Sequence, residues 1–195
     1  MEKFRDWSRT LGILVGLAAV ILEFKEIGFK VLIYLTIWTL IINTSSLLIL
    51  KLDLGSQNLQ QALVIVSWIL GFNVSLLFWL YVYPMIGDSV KLPPVWHLSL
   101  DHGILLLFFI PEALNPKISF NFRDFFKAIY VMLAYLLVVM VPCALKGIVI
   151  YPGLSFNNSF TLIIVGVNIG TVVSGYYIGK YLNEGYSGKK AIKIQ

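Results

Sequence analysis

Long apolar runs are the feature that most limits how this chain can fold. Runs of about 17 to 25 residues, the length that crosses a bilayer as a helix, give six candidates. They lie at roughly 8–24, 31–50, 62–83, 95–111, 125–145 and 159–182, and they use most of the 195 residues. Hydrophobic residues make up 58% of the chain, charged residues 13%, and the mean hydropathy is +0.85. We therefore predict an all-α polytopic membrane helix bundle, a single integral membrane domain over 1–195 with about six transmembrane helices.

The distribution of basic residues predicts the orientation of the chain in the membrane. With six spans, eleven of the 15 lysines and arginines fall on the side that holds both termini. The opposite side holds only Lys25, Lys30, Lys91 and Lys146. Cytoplasmic segments carry an excess of basic residues, so both termini are predicted to be cytoplasmic. The net charge of +5 is spread over short loops and tails, which suits a membrane surface and not a nucleic acid.

Polar residues at membrane depth are the strongest functional candidates. The run 95–111 carries His97, Asp101 and His102, and the run 31–50 opens with Thr36. Both runs begin on the same side, and Thr36 and His102 lie five and seven residues past their respective starts. At a rise of about 1.5 Å per residue, the two side chains are expected within roughly 3 Å of the same depth. They can meet if the two helices pack together.

A threonine hydroxyl beside an imidazole is the arrangement that supports nucleophilic catalysis, because threonine reacts poorly until a base accepts its proton. Histidine has a suitable proton affinity near neutral pH. The alternative is that Thr36 bonds its own helix backbone and His102 bonds another helix. Thr39 and Asn43 continue the polar stripe from Thr36, as oxyanion donors or as packing groups.

The remaining polar residues each have a structural interpretation as an alternative to a functional one. Asp101 either tunes the electrostatics of His102 or pairs with His97, which shares its helix face at i−4. Glu112 is about 15 Å from His102 along a helix, so helix-end solvation or pairing with Lys117 is expected. Two histidines and one cysteine without zinc-like spacing predict no metal site and no cofactor.

Gly166, Gly170 and Ser174 follow one another at four-residue spacing in the last apolar run. This small-residue face is expected to allow close helix packing.

Several motifs resemble the androgen-induced-gene family of membrane hydrolases, which includes the androgen-dependent regulator of tissue-factor-pathway inhibitor. The motifs stand in the same order and spacing over about residues 28–155: YLTIW at 34–38, FWLYVYP at 78–84, Trp96, DHGILLLFFIPE at 101–112 and IVIYPGL at 148–154.

The resemblance implies a multi-pass threonine hydrolase of fatty acid esters of hydroxy fatty acids. Its nucleophile matches Thr36, its histidine matches His102, and its Tyr-Pro motif places Tyr151 near the mouth of the site. Some features depart from the pattern. Vertebrate members carry a second histidine where this chain has Ser99, and flanking polar residues differ, with Asp101 directly before His102.

Taken together, these patterns favour an intramembrane hydrolase of lipid esters with Thr36 as nucleophile and His102 as base. Its partners are expected to be membrane lipids and a lipid ester substrate, with no nucleic acid. The rival interpretations are a non-catalytic protein that binds a lipid or partner in the same pocket, and a small transporter in which Asp101 and His102 relay protons. No internal repeat or broken-helix pair supports the transporter.

Overall fold

The computed structural model describes residues 2–86, 94–148, 150 and 159–192. Within these ranges every regular element is helical, in agreement with the predicted all-α fold. Tyr151 and the rest of the predicted Tyr-Pro motif lie outside the described residues.

Each predicted apolar run overlaps a helical segment of the structure. The α-helices are α1 Glu2–Ile27, α2 Leu35–Lys51, α3 Gln57–Leu77, α4 Tyr83–Ile86, α5 Val95–Ser99, α6 Leu105–Ala113, α7 Phe122–Tyr135, α8 Val141–Leu145 and α9 Ser159–Ile192. A 3₁₀ turn at Gly28–Ile33 joins α1 to α2. Turns of π-helix at Phe78–Val82, Leu100–Ile104 and Leu136–Met140 join α3 to α4, α5 to α6 and α7 to α8.

Two helical segments of the described chain, Gln57–Val82 and Phe122–Leu145, are long and apolar enough to cross a membrane. The count rises to three if Glu2–Ile33 and Leu35–Lys51, which are bent by 110° relative to each other, form one span. These helices are consistent with a membrane protein.

Short polar connections set where the helices begin. Ser56 caps α3 by accepting a hydrogen bond from the Leu59 N–H, and Asn121 caps α7 by accepting one from the Asp124 N–H. These side chains satisfy backbone donors that lack an intrahelical partner. Between α2 and α3, Gly55 has a φ of 81°, a left-handed conformation that glycine adopts without steric cost. The chain can therefore reverse direction within a few residues.

Helix α3 forms the centre of the bundle and packs against α2, α6, α7 and α9. Its buried residues include Val64, Ile65, Ile69 and Leu70, which are fully enclosed. Trp68 also lies on this helix, and its indole N–H donates to the Gly175 carbonyl of α9 at 2.9 Å. Apolar packing and this bond together hold α9 against α3.

The close approach of α9 occurs at different glycines from those predicted. A Cβ added at Gly179 would lie 2.5 Å from the Phe120 ring and 2.6 Å from the Trp68 indole nitrogen. At Gly166 and Gly170 no atom of the described residues lies within 4 Å of such a Cβ. The prediction of close helix packing at Gly166 and Gly170 was therefore wrong for the described part of the chain. Residue spacing alone does not reveal which side of a helix contacts its neighbour.

A buried ion pair ties α1 to α6. The Arg9 guanidinium donates from Nε to Glu112 Oε1 at 2.7 Å and from Nη2 to Oε2 at 2.9 Å. Its third nitrogen, Nη1, donates to the Leu50 carbonyl near the end of α2 at 2.8 Å. The expectation that Glu112 is solvated at the helix end or pairs with Lys117 was wrong, because Glu112 is buried and pairs with Arg9. Helix α1 lies beside α6 and places Arg9 next to Glu112, which is fully buried.

Loss of the Glu112 carboxylate is expected to destabilise the protein strongly. The Arg9 charge would stay in a mostly buried position without its counter-charge, so Glu112→Ala should cost about 3 kcal/mol or more of unfolding free energy. Unfolding in mixed micelles with a rising fraction of dodecyl sulfate, followed by circular dichroism, measures this.

The matched control is Lys51→Ala, which breaks the exposed ion pair of Lys51 with Asp6 between α2 and α1. Exposed pairs contribute little, so a loss of under about 1 kcal/mol is expected. Equal losses in the two variants would contradict a special role for Glu112.

The two glycine environments of α9 predict opposite effects of the same substitution. Gly170→Ala should be neutral or stabilising by up to about 1 kcal/mol, because alanine is the better helix former. Gly179→Ala should instead be destabilising by roughly 1 to 3 kcal/mol, because Phe120 and Trp68 must move. The same unfolding assay compares them, and a stabilised Gly179→Ala would show that the contact is not close.

Candidate active site

Thr36 is placed by the way the chain enters α2. The 3₁₀ turn before this helix starts at Gly28, whose φ of 67° redirects the chain after α1. Tyr34 then takes an extended conformation, with φ of −95° and ψ of 133°, and its own side chain makes no capping hydrogen bond to the helix. Thr36 is thus the second residue of α2 and is half-buried. It lies where a helix presents backbone N–H groups without intrahelical partners.

His102 lies in the π-helical turn Leu100–Ile104, with φ of −118° and ψ of 16°. These angles depart from helical values, so the turn projects the imidazole differently from a regular helix. Its Nδ1 lies 3.1 Å from the Leu98 carbonyl oxygen. A carbonyl only accepts hydrogen bonds, so Nδ1 must carry the proton. In the neutral ring, Nε2 is then the unprotonated nitrogen.

The structure brings Thr36 and His102 together, as their equal depth suggested. The distance from Thr36 Oγ1 to His102 Nε2 is 3.2 Å. Because the Leu98 contact leaves Nε2 as an acceptor, the Thr36 hydroxyl is the donor. The hydroxyl proton therefore points at a nitrogen able to accept it. A hydroxyl, an imidazole that can accept its proton and a carbonyl that orients the imidazole are therefore in contact.

The Phe78 ring packs on one face of the His102 imidazole. Sequence reasoning did not identify Phe78 as a residue of the site. Its ring stacks on His102 with a centroid separation of 3.6 Å and an interplanar angle of 20°. Phe78 also begins a π-helical turn, so two such irregular turns meet at this point. π-helical turns are frequent at functional sites. Phe78 lies in the motif FWLYVYP, which the sequence analysis used only for the family resemblance.

A small cavity of about 10 Å³ adjoins His102. Its polar lining includes Thr39, Asn43, Ser75 and Asp101, so the accessory residues Thr39 and Asn43 do lie beside the imidazole. Thr39 Oγ1 and Asn43 Oδ1 are buried and have no hydrogen-bond partner among the described residues. The cavity is about the size of one water molecule, for which these groups would be partners.

Asp101 is grouped with His97 and not with the Thr36 contact. Its Oδ2 lies 3.5 Å from His97 Nε2, the predicted i, i+4 pair. The Glu23 carboxylate of α1 lies 3.4 Å from the same nitrogen. The first apolar run was predicted to end at residue 24, whereas α1 continues to Ile27 and includes Glu23. His102 is oriented by Leu98 and Phe78.

Comparisons of this chain with protein-family models, curated proteins and solved structures found no match. The resemblance to the androgen-induced-gene hydrolases therefore rests on the short motifs themselves, and the activity that it implies stays a hypothesis.

Proposed function

We propose that this chain is a membrane-embedded hydrolase of lipid esters in which Thr36 is the nucleophile and His102 is the general base. The observation that carries the proposal is the 3.2 Å contact between Thr36 Oγ1 and His102 Nε2, with the opposite ring nitrogen held by the Leu98 carbonyl. Covalent catalysis by a hydroxyl needs a neighbouring base, and the base needs a group that orients it. Thr36, His102 and the Leu98 carbonyl are arranged in this way.

In the first step, Thr36 Oγ1 attacks the ester carbonyl carbon while its proton passes to His102 Nε2. The tetrahedral intermediate then collapses as the bond to the alcohol oxygen breaks, and that oxygen takes the proton from His102. The products are the free alcohol and an acyl group on Thr36. The stacked Phe78 ring and the Leu98 carbonyl keep the imidazole in place through both proton transfers.

In the second step, water replaces the alcohol. His102 accepts a proton from the water, whose oxygen attacks the acyl carbon, and Thr36 leaves as it recovers the proton. The small cavity beside His102 supports this step, because Thr39 and Asn43 provide polar partners for one water molecule next to the imidazole. Ester and water together yield one carboxylic acid and one alcohol.

Charge on the intermediate's oxygen needs hydrogen-bond donors or a positive dipole end. Thr36 is in the first turn of α2, and the positive end of the helix dipole lies at such a turn. One turn further along, the Thr39 hydroxyl is a donor that has no hydrogen-bond partner among the described residues. We assign oxyanion stabilisation to this end of α2, a group of donors that is already ordered before the reaction.

The proposal includes a six-span topology with both termini in the cytoplasm and the Thr36 and His102 pair in the outer half of the membrane. The overlap of each apolar run with a helical segment and the distribution of basic residues support it. Large apolar side chains such as Leu133, Leu137 and Val138 are exposed on the segment Phe122–Leu145, as lipid-facing surfaces would be. The family resemblance narrows the substrate to fatty acid esters of hydroxy fatty acids, which enter from the bilayer.

Covalent labelling with a fluorophosphonate probe tests the assignment on protein purified in detergent. Thr36→Ala should abolish labelling because the nucleophilic oxygen is gone, and mass spectrometry of the wild type should place the adduct on Thr36. His102→Ala should slow labelling by roughly 100-fold or more, the usual contribution of a general base. Hydrolysis of a lipid ester should fall in parallel.

Two controls accompany the variants. Thr36→Ser retains a hydroxyl and should still be labelled, and Thr44→Ala removes another threonine of α2 and should leave labelling unchanged. Folded wild type that takes no label, or label that survives in Thr36→Ala, would refute the proposed nucleophile and favour a non-catalytic lipid-binding protein.

A further inference from the structure

Three side chains from three elements converge beside the proposed active site. Glu23 comes from the last turns of α1, His97 from α5 and Asp101 from the π-helical turn Leu100–Ile104. Their potential ligand atoms all lie within 4.8 Å of one another. His97 Nε2 is at the centre, 3.4 Å from Glu23 Oε1 and 3.5 Å from Asp101 Oδ2. Charge-assisted hydrogen bonds are shorter, at about 2.7 to 2.9 Å.

Two of the three side chains are buried, and each of these two has a polar atom without a hydrogen-bond partner among the described residues. His97 is 2% exposed and Asp101 is 5% exposed. His97 Nε2 and Asp101 Oδ1 have no hydrogen-bond partner in the described part of the chain. Among the described residues, no lysine or arginine forms an ion pair with Glu23 or Asp101. A buried carboxylate beside a second carboxylate, without a counter-charge, needs a cation or a proton to be stable.

We propose that Glu23, His97 and Asp101 bind a divalent transition-metal ion of the Zn²⁺ class. Tetrahedral Zn²⁺ bonds nitrogen and carboxylate oxygen at about 2.0 to 2.2 Å, which separates neighbouring ligand atoms by roughly 3.3 to 3.5 Å. The two separations from His97 Nε2, 3.4 Å to Glu23 and 3.5 Å to Asp101, have this length. Three protein ligands leave the fourth position for water.

The surroundings of His97 suit a metal-bound imidazole. Its second nitrogen, Nδ1, faces the Glu26 carboxylate at 3.6 Å. A proton held on Nδ1 toward this carboxylate leaves the lone pair of Nε2 for the ion, the usual second contact of a metal-binding histidine. Glu26 is half-exposed and Glu23 is partly exposed, so an acidic path leads to the buried ligands from this side.

A bound ion would fasten α1 to the helical segment that carries His102. Asp101 and His102 are neighbours in one π-helical turn, so a metal bond to Asp101 restrains the backbone that presents the imidazole. This role differs from catalysis, since the ion is held by residues outside the Thr36 and His102 contact. Metal binding can therefore be measured whether or not the protein hydrolyses esters.

The experiment uses the full chain in detergent, stripped of metal with a chelator and titrated with Zn²⁺ by calorimetry. One ion per chain is expected, with a metal content confirmed by mass spectrometry. His97→Ala and Glu23→Gln should each weaken the affinity by about 10-fold to 100-fold or more. The matched control is His102→Ala, which removes the other histidine and should change the affinity by less than about threefold.

X-ray absorption at the zinc edge gives a second, independent measurement. The expected signature is one imidazole with oxygen ligands at about 2.0 to 2.2 Å. Circular dichroism and size-exclusion elution establish that each titrated sample is folded. If His97→Ala does not fold, the zinc affinity of the isosteric Glu23→Gln variant tests the site. Folded, stripped wild type that takes up no Zn²⁺ would overturn the proposal in favour of carboxylates that share protons. Binding unaffected by Glu23→Gln and His97→Ala would also overturn it.

Discussion

The buried ion pair of Arg9 with Glu112 is the interaction on which the arrangement of this bundle most depends. A carboxylate that is fully enclosed requires a partner, and the fork of Arg9 meets both of its oxygens while also reaching the Leu50 carbonyl. Three helices, α1, α2 and α6, are therefore joined by one side chain. At the opposite end of α1, Glu23 meets His97 and Asp101. The polar contacts at both ends set how α1 lies along the segment that carries His102.

Irregular helical turns provide two of the residues of the candidate site. In the described chain, π-helical turns contribute both Phe78 and His102, whose rings stack on each other. The departure of His102 from helical angles accompanies the contact of its Nδ1 with Leu98, and that contact determines which nitrogen faces Thr36. This turn packs against α1, α2 and α3.

Several features of the fold and site could be predicted from the sequence because they depend only on the position of each residue along the chain. Hydropathy locates the apolar helices, and the constant rise of a helix places Thr36 and His102 at one depth. Features that depend on rotation about helix axes were missed. Lys117 was chosen for Glu112 by proximity in sequence, and Gly166 and Gly170 were chosen for packing by spacing, while the contacts belong to Arg9 and Gly179.

By itself, the sequence determined that the chain is helical and apolar, which residues are polar within the apolar runs, and how far along each run they lie. Only the tertiary structure decided that Phe78 covers the imidazole, that Leu98 selects its tautomer and that Glu23 joins His97 and Asp101. The physical reason is that side-chain direction depends on helix rotation and on local irregular turns. Both are set by packing between residues distant in sequence.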